Sequence, residues 1–182
     1  MANKVKFGLS NIHIAARTES DLGVISYETP VALSGAVGLT MTRASEKATF
    51  RADNVDYFTR YISSSREGSM EIADIPDWFK TGFLGYKAAS DDKLVETNAQ
   101  GGAFAILFQV ETDLGNKKYC IYNVQAVQAD EEHKTTEAND LGVQTSTLNI
   151  TINGEQVGDF ICFIKEVADF TSVAVPTFPS SN

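Results

Sequence analysis

Two imidazoles, His13 and His133, are the only histidines available for acid–base work near neutral pH in this 182-residue chain. His13 stands between Ile12 and Ile14 in an alternating run, which reads as a structural or surface-facing ring rather than a general base. His133 follows Glu131 and Glu132, donor types that suit a metal ion. These ligands are sequence neighbours, and no HExxH or Cys/His spacing supports them, so no metal is expected. Cys120 and Cys162 lie in separate apolar runs without a shared motif. Buried free thiols are the expectation, with a bridge as the alternative. There is no GxSxG, no GxxxxGK[ST], and no GxGxxG leading into a helix. A hydrolase using His13 or His133 with a nearby acid is therefore the weakest reading. No catalytic residue, cofactor or metal is assigned, and the chain is not expected to be an enzyme. Asn149-Ile150-Thr151 matches a glycosylation sequon, which has no consequence without export.

The elements that would have to position any site are mostly strands. Hydrophobic residues make up 43% and charged residues 21%, enough apolar material for one domain spanning residues 1–182 without staples. No apolar run approaches the roughly 18 residues needed to span a membrane. The opening Met1-Ala2-Asn3-Lys4-Val5-Lys6 has basic residues but no apolar stretch behind them, so a soluble protein made in the cytosol is expected. Fifteen Lys and Arg against 24 Asp and Glu leave −9, a poor balance for gripping nucleic acid. Lys117 and Lys118 beside Tyr119 and Tyr122 fit a lysine-guarded hairpin edge better than a nucleic-acid contact.

Period-two alternation dominates. Phe104, Ile106, Phe108 and Val110 share one face of a strand whose other face, from Ala105 to Glu111, turns from apolar to wet. Asp113–Asn116 supplies a turn, and Tyr119–Gln128 reads as the returning strand of a β-hairpin. Leu148, Ile150 and Ile152 form another apolar row, followed by the turn signal Asn153-Gly154. Phe160–Ile164 is apolar on both faces, which predicts a central strand or one lying against another chain. Val5–Ala15, Val24–Leu33, Val37–Ala44, Val55–Ile62 and Ser69–Ala73 bring the total to roughly nine strands. One helix is predicted over Pro76–Leu84: Pro76 suits its first position, Ile75, Phe79 and Phe83 share a face, and Gly85 can close it.

Three stretches are expected to carry little regular structure. Ser45–Asn54 reads as a long loop or hairpin tip, Ala129–Gly142 carries four net negative charges, and Thr171–Asn182 reads as an extended arm unable to pack alone. Tyr57, Phe58 and Tyr61 on the neighbouring strand are assigned to core packing.

Five stretches follow one another in order: Met1–Asn11, Tyr27–Val37, Glu71–Phe79 closed by Leu84-Gly85, Phe104–Phe108 with Tyr122-Asn123, and Thr145–Thr151. In that order and spacing they resemble the major tail proteins of long-tailed siphophages and prophages of Gram-positive bacteria. The resemblance extends to about Ile164. It implies a β-sandwich or split barrel flanked by one short helix. It also implies a virion protein, assembled in the bacterial host cytoplasm, whose hexameric rings stack into a tail tube. Such a tube encloses the tape-measure protein, joins tail-terminator and distal-tail or baseplate proteins, and later conducts DNA during ejection. Residues 1–8 would form an N-terminal arm and 45–54 a stacking loop. Within that loop Glu46, Lys47, Arg51 and Asp53 are candidate ring-to-ring contacts. Val173, Val175, Pro176 and Phe178 mark a candidate assembly arm at 171–182.

Physical reasoning is compatible with such a role. A nine-stranded barrel has room only for side chains or one small ligand, so a DNA-wide channel requires several copies pooling their strands in a closed ring. Six copies at −9 would carry −54, and a share of that facing the lumen would let DNA pass as non-adhesive cargo. The alternative is a small-molecule or carbohydrate-binding β-barrel or sandwich, which would require a preformed pocket.

Overall fold

The computed structural model describes residues 6–43, 45–52, 55–63, 65–113, 115–128 and 144–178; for 6–7, 45–52 and 55–63 it is the backbone that is described. Among these residues the fold is mainly β with one short helix and no closed barrel, consistent with a β-sandwich. The first half holds β1 (Lys6–Glu19), β2 (Ile25–Tyr27), β3 (Val31–Ala32), β4 (Ala36–Thr42), β5 (Ser45–Ala52), β6 (Val55–Ser63) and β7 (Arg66–Ile72). Helix α1 (Asp77–Phe83) follows, then β8 (Lys87–Ala88), β9 (Leu94–Val95), β10 (Phe104–Thr112) and β11 (Lys117–Gln128). The last strands are β12 (Ser146–Ile152), β13 (Glu155–Val157), β14 (Phe160–Cys162) and β15 (Ile164–Val167).

The main sheet runs β2-β1-β10-β11-β12-β7-β4, with β3 on β1 and β15 on β11, and every recorded pairing in it is antiparallel. Strand β11 divides its outer edge: Lys118–Ile121 pair with β15, and Val124–Gln128 pair with β12. The division falls at Asn123, whose φ of +51° places it in the left-handed region that Asn tolerates better than most residues.

Alternation explains the core. Leu148, Ile150 and Ile152 of β12, Met70 and Ile72 of β7, and Phe104, Ile106 and Phe108 of β10 all enter one buried cluster with Ile12 and Ile14 of β1. Helix α1 adds Phe79 and Phe83 to that cluster, their rings 5.0 Å apart and each within 5.3 Å of Phe104. The opposite face of the central strands carries a second cluster, Ala15, Ala105, Leu107, Cys120 and Tyr122. Tyr27, Cys162, Val167, Phe170 and Val173 pack against it. The middle of β10 is thus buried on both faces, while Glu111 near its end is exposed, as its sequence pattern requires.

Several sequence expectations change. Val24–Leu33 divides into β2 and β3 around Pro30, which cannot donate to a ladder. Pro76 is the residue before the helix, with ψ of 150°, rather than its first turn; Gly85 follows the helix with φ of +76°. At the turn signal Asn153-Gly154, Gly154 takes a φ of +72°, and the strands on either side, β12 and β13, do not pair with each other. Gly154 is wedged so that an added Cβ would meet Ile161 at 2.7 Å and the Cys162 carbonyl oxygen at 2.9 Å, while β13 pairs with β14. Phe160–Ile164, expected to be a central strand or to lie against another chain, is not one central strand: Phe160–Cys162 is half of that small hairpin and Ile164 begins β15. Phe160 and Ile161 are 61% and 48% exposed, in a two-stranded sheet that no further described strand joins. Within Ser45–Asn54, read as a long loop or hairpin tip, Ser45–Ala52 is a full strand paired along its length with β6, and residues 53–54 lie outside the described residues.

The thiols are free. Cys120 faces Lys165 across the β11–β15 ladder, so Cys162 falls three residues farther along. That displacement is about 10 Å of strand, beyond disulfide reach without backbone movement.

Candidate functional site

The most heavily built polar constellation lies where β1, β2, β11 and β13 meet. Its centre is Glu155, the first residue of β13 and only 1% exposed. Arg17 of β1 approaches it with both arms of its fork: Nε is 2.5 Å from Oε1 and Nη2 is 3.4 Å from Oε2. The Tyr27 hydroxyl of β2 donates to the same Oε1 at 2.6 Å and accepts from the Asn123 backbone N–H at 3.2 Å. Asn123 Nδ2 in turn donates to the Gly154 carbonyl at 2.9 Å, and Arg17 Nη1 reaches Glu19 at 3.1 Å. A buried carboxylate is tolerated when a cation and hydrogen bonds satisfy its oxygens, and all of these are present.

Local sequence accounts for each position. Arg17 follows Ala15 and Ala16 where β1 leaves the core, and it pairs with Tyr27 across the β1–β2 ladder. The left-handed Asn123 turns its N–H toward Tyr27, and the Gly154 corner delivers Glu155 to the interior. Hydrogen bonding to Glu155 raises the proton affinity of Arg17 further, so its charge is fixed. Burial, then the hydrogen bond and charge of Glu155, hold the Tyr27 phenol well above its ordinary range. Neither group can serve as a base near neutral pH. The arrangement is a structural pin that fastens the β13–β14 hairpin to the sheet.

A second set of titratable groups lies beneath that hairpin. Burial pushes the Cys120 thiol up to about 12, and Tyr122 is also shifted upward, chiefly by burial. The folded state therefore keeps these protons to higher pH than the unfolded chain does. Stability should be fully present below about pH 9 and fall above it, by up to about 1.4 kcal/mol per pH unit for Cys120, with Tyr122 adding to the slope only above about pH 10. Urea midpoints measured from pH 7 to 11 check this; Cys120→Ala should reduce the slope, and an unchanged slope would exclude the thiol as a contributor.

The residues singled out from sequence are not brought together. Glu46, Lys47 and Arg51 lie on β5 opposite Ile62, Tyr61 and Asp56 of β6, while Asp53 lies outside the described residues. Tyr57, Phe58 and Tyr61 lie on β6. Residues 129–143, which include His133 and the acidic stretch, also lie outside the described residues. His13 is half-buried with its ring 5.1 Å from that of Phe170 and Nδ1 3.3 Å from the Asn11 carbonyl oxygen. The described part of the C-terminal arm, residues 171–178, packs on its own chain. Val173 covers the second cluster, Pro176 is buried, the Ala174 carbonyl accepts from Tyr122 Oη at 3.1 Å, and Phe178 meets Phe160 at 5.2 Å. Val175 is half-buried in the same stretch. Lys117 pairs with Glu166 at 3.0 Å, and Lys118 reaches the Ala168 carbonyl and the Phe170 ring, so both lysines are engaged along β15.

Sequence reasoning missed Arg17, Tyr27, Asn123 and Glu155. No spacing motif links positions 138 residues apart, and Glu155 after an Asn-Gly turn reads as solvent-facing. Among the described residues no group of three or more His, Cys, Asp or Glu is placed to hold a metal. Nor is any helix among them long and apolar enough to cross a membrane.

Fold and site together define a mainly β protein whose best-organised polar cluster is a buried carboxylate partnered by Arg17 and Tyr27. No family model matches the sequence, and no curated protein matches it significantly.

Proposed function

We propose that this chain is a structural virion protein whose copies form hexameric rings that stack into a phage tail tube. The single observation that carries this reading is the β5–β6 hairpin. Its two long strands form a two-stranded sheet of their own, between β4 and β7 in chain order. An isolated two-stranded hairpin is marginal in water, so one of this length is best explained as a part completed by a neighbouring copy. It contains Glu46, Lys47 and Arg51, the proposed ring-to-ring contacts. The open ends of the main sheet and the exposed Phe160, Ile161 and Phe178 offer further surface for neighbours. The tape-measure protein, tail-terminator and distal-tail proteins, and passing DNA are the partners this reading implies. The net charge of −9 suits a lumen that does not hold phosphate.

Ligand binding is the alternative. Its best support is a cleft of about 310 Å³ where Trp78 and Phe83 face Arg17, Glu28 and Thr29. A second cleft of about 280 Å³ lies between Tyr86, Glu96–Gly101 and the end of β11. Both are at the small end of the range for ligand pockets, which favours assembly.

Negative-stain microscopy at rising protein concentration tests the proposal. Rings or tubes with an open channel are expected. Replacing residues 46–62 by a short turn should leave the body folded by circular dichroism while abolishing stacked tubes. A protein that stays monomeric at millimolar concentration would defeat the reading.

A further inference from the structure

The core-facing row of β7 runs Ile72, Met70, Gly68, Arg66. The first two are completely buried, so Arg66 emerges where the core ends. Its guanidinium carbon lies 4.2 Å from the centre of the Phe163 ring, itself a core residue. Stacking of this kind fixes the fork in one plane and reduces the entropy lost when it binds a partner. Yet Nε is buried and meets no hydrogen-bond partner among the described residues. Buried donors of this kind are rare and call for an explanation.

On the next strand, Leu39 and Met41 pack against the same core, and Arg43 continues their row. The last recorded pair of the β4–β7 ladder is Thr42 with Glu67, so its next step sets Arg43 abreast of Arg66. Like charges directly opposite one another destabilise a sheet. Burial, and then the charge of Arg43, lower the proton affinity of Arg66. Alternation puts Glu67 on the other face, and the described ion pairs involve Arg17 and Lys117 but neither Arg43 nor Arg66. The register thus carries two arginines to adjacent positions on one face, close enough for the charge of Arg43 to act on Arg66, with no described acid paired to either, where β4 and β7 run into β5 and β6.

We propose that Arg43 and Arg66 form a binding site for one oxyanion, held by the Arg66 fork and bridged to Arg43. Carboxylate and phosphate share the required chemistry, since both present two oxygens to a planar guanidinium. The oxyanion has two possible sources: a free inorganic anion, or a carboxylate from a second copy of this chain. The first requires no assembly, so the site does not depend on ring formation.

The test uses the full ¹⁵N-labelled chain and follows arginine Nε–Hε signals while inorganic phosphate replaces chloride at constant ionic strength. The Arg66 signal, identified by its loss in Arg66→Lys, should shift and saturate. Arg43→Gln should weaken that binding about tenfold, the loss expected for a charge-assisted contact. Lys87→Gln, an identical charge change at an exposed lysine on β8, should leave it unaltered. If the signal also shifts with protein concentration alone, and phosphate reverses that shift, a carboxylate of another copy is the resident ligand. A shift with phosphate only assigns the site to a free anion. A signal that stays still in both arms, or a response identical in wild type, Arg43→Gln and Lys87→Gln, overturns the site. Should Arg66→Lys fail to fold, the comparison of Arg43→Gln with Lys87→Gln still decides the question.

Discussion

Glu155→Ala is expected to lower the unfolding free energy by about 3–5 kcal/mol, because removing one member of a buried ion pair strands the other. Arg17 would keep only Glu19, which is about half exposed, and Tyr27 would lose the acceptor for its buried hydroxyl. Urea unfolding at pH 7 measures the effect. The loss should come from uncompensated charge rather than lost volume, and two further variants separate these causes. Glu155→Gln keeps the shape and an acceptor for Tyr27, so it should be milder. Arg17→Met combined with Glu155→Leu removes both charges and should recover most of the loss. A Glu155→Ala variant within about 0.5 kcal/mol of wild type, the range of an ordinary surface change, would show that the cluster is not a pin. Hydrogen exchange should locate the damage in the β13–β14 hairpin, since Glu155 is the side chain that ties it to β1 and β2.

Phe79→Ala should cost a similar amount, about 3–5 kcal/mol, for a different reason. Phe79 is fully buried, and its ring lies within 5.7 Å of those of Phe83, Phe104 and Trp78. Helix α1 has seven residues, too few to persist without tertiary packing. Losing the central ring should therefore release the helix as well as open a cavity. The chain has a single tryptophan, Trp78, adjacent to the substitution, so its fluorescence reports the helix directly. The expected result is a lower urea midpoint together with an altered native emission spectrum. Phe79→Leu, which refills much of the volume, should retain the spectrum. A Phe79→Ala midpoint indistinguishable from wild type would mean that the helix is only peripheral.

The parts of the fold that could be read in advance are those where alternation and turn chemistry act over a few residues. The β10–β11 hairpin, the apolar row of β12 and the Phe79–Phe83 face of the helix all belong to this class. Long-range choices were not legible. Nothing near Phe160–Ile164 indicates that a corner at Gly154 will divert the chain into a separate hairpin, leaving an apolar strand at the surface. Ser45–Ala52 has the polarity of a loop, yet its backbone finds a partner in β6; polarity reports burial, not pairing. The Arg17–Glu155 contact was invisible for a related reason. Each residue looks solvated beside its own neighbours, and only the topology brings them together.

The pairing of β1 with β10 also determines when this protein can fold. Lys6 is opposite Thr112, and His13 opposite Leu107, so the first strand has no long partner until about a hundred residues have followed it. At typical synthesis rates of roughly 5–20 residues per second, that strand waits about 5–20 s with its apolar face uncovered. A topology dominated by such distant pairings folds in milliseconds to seconds rather than microseconds. The early chain is thus an aggregation hazard during its own synthesis, and chaperone demand should be set by the interval between β1 and β10 rather than by the stability of the finished sheet.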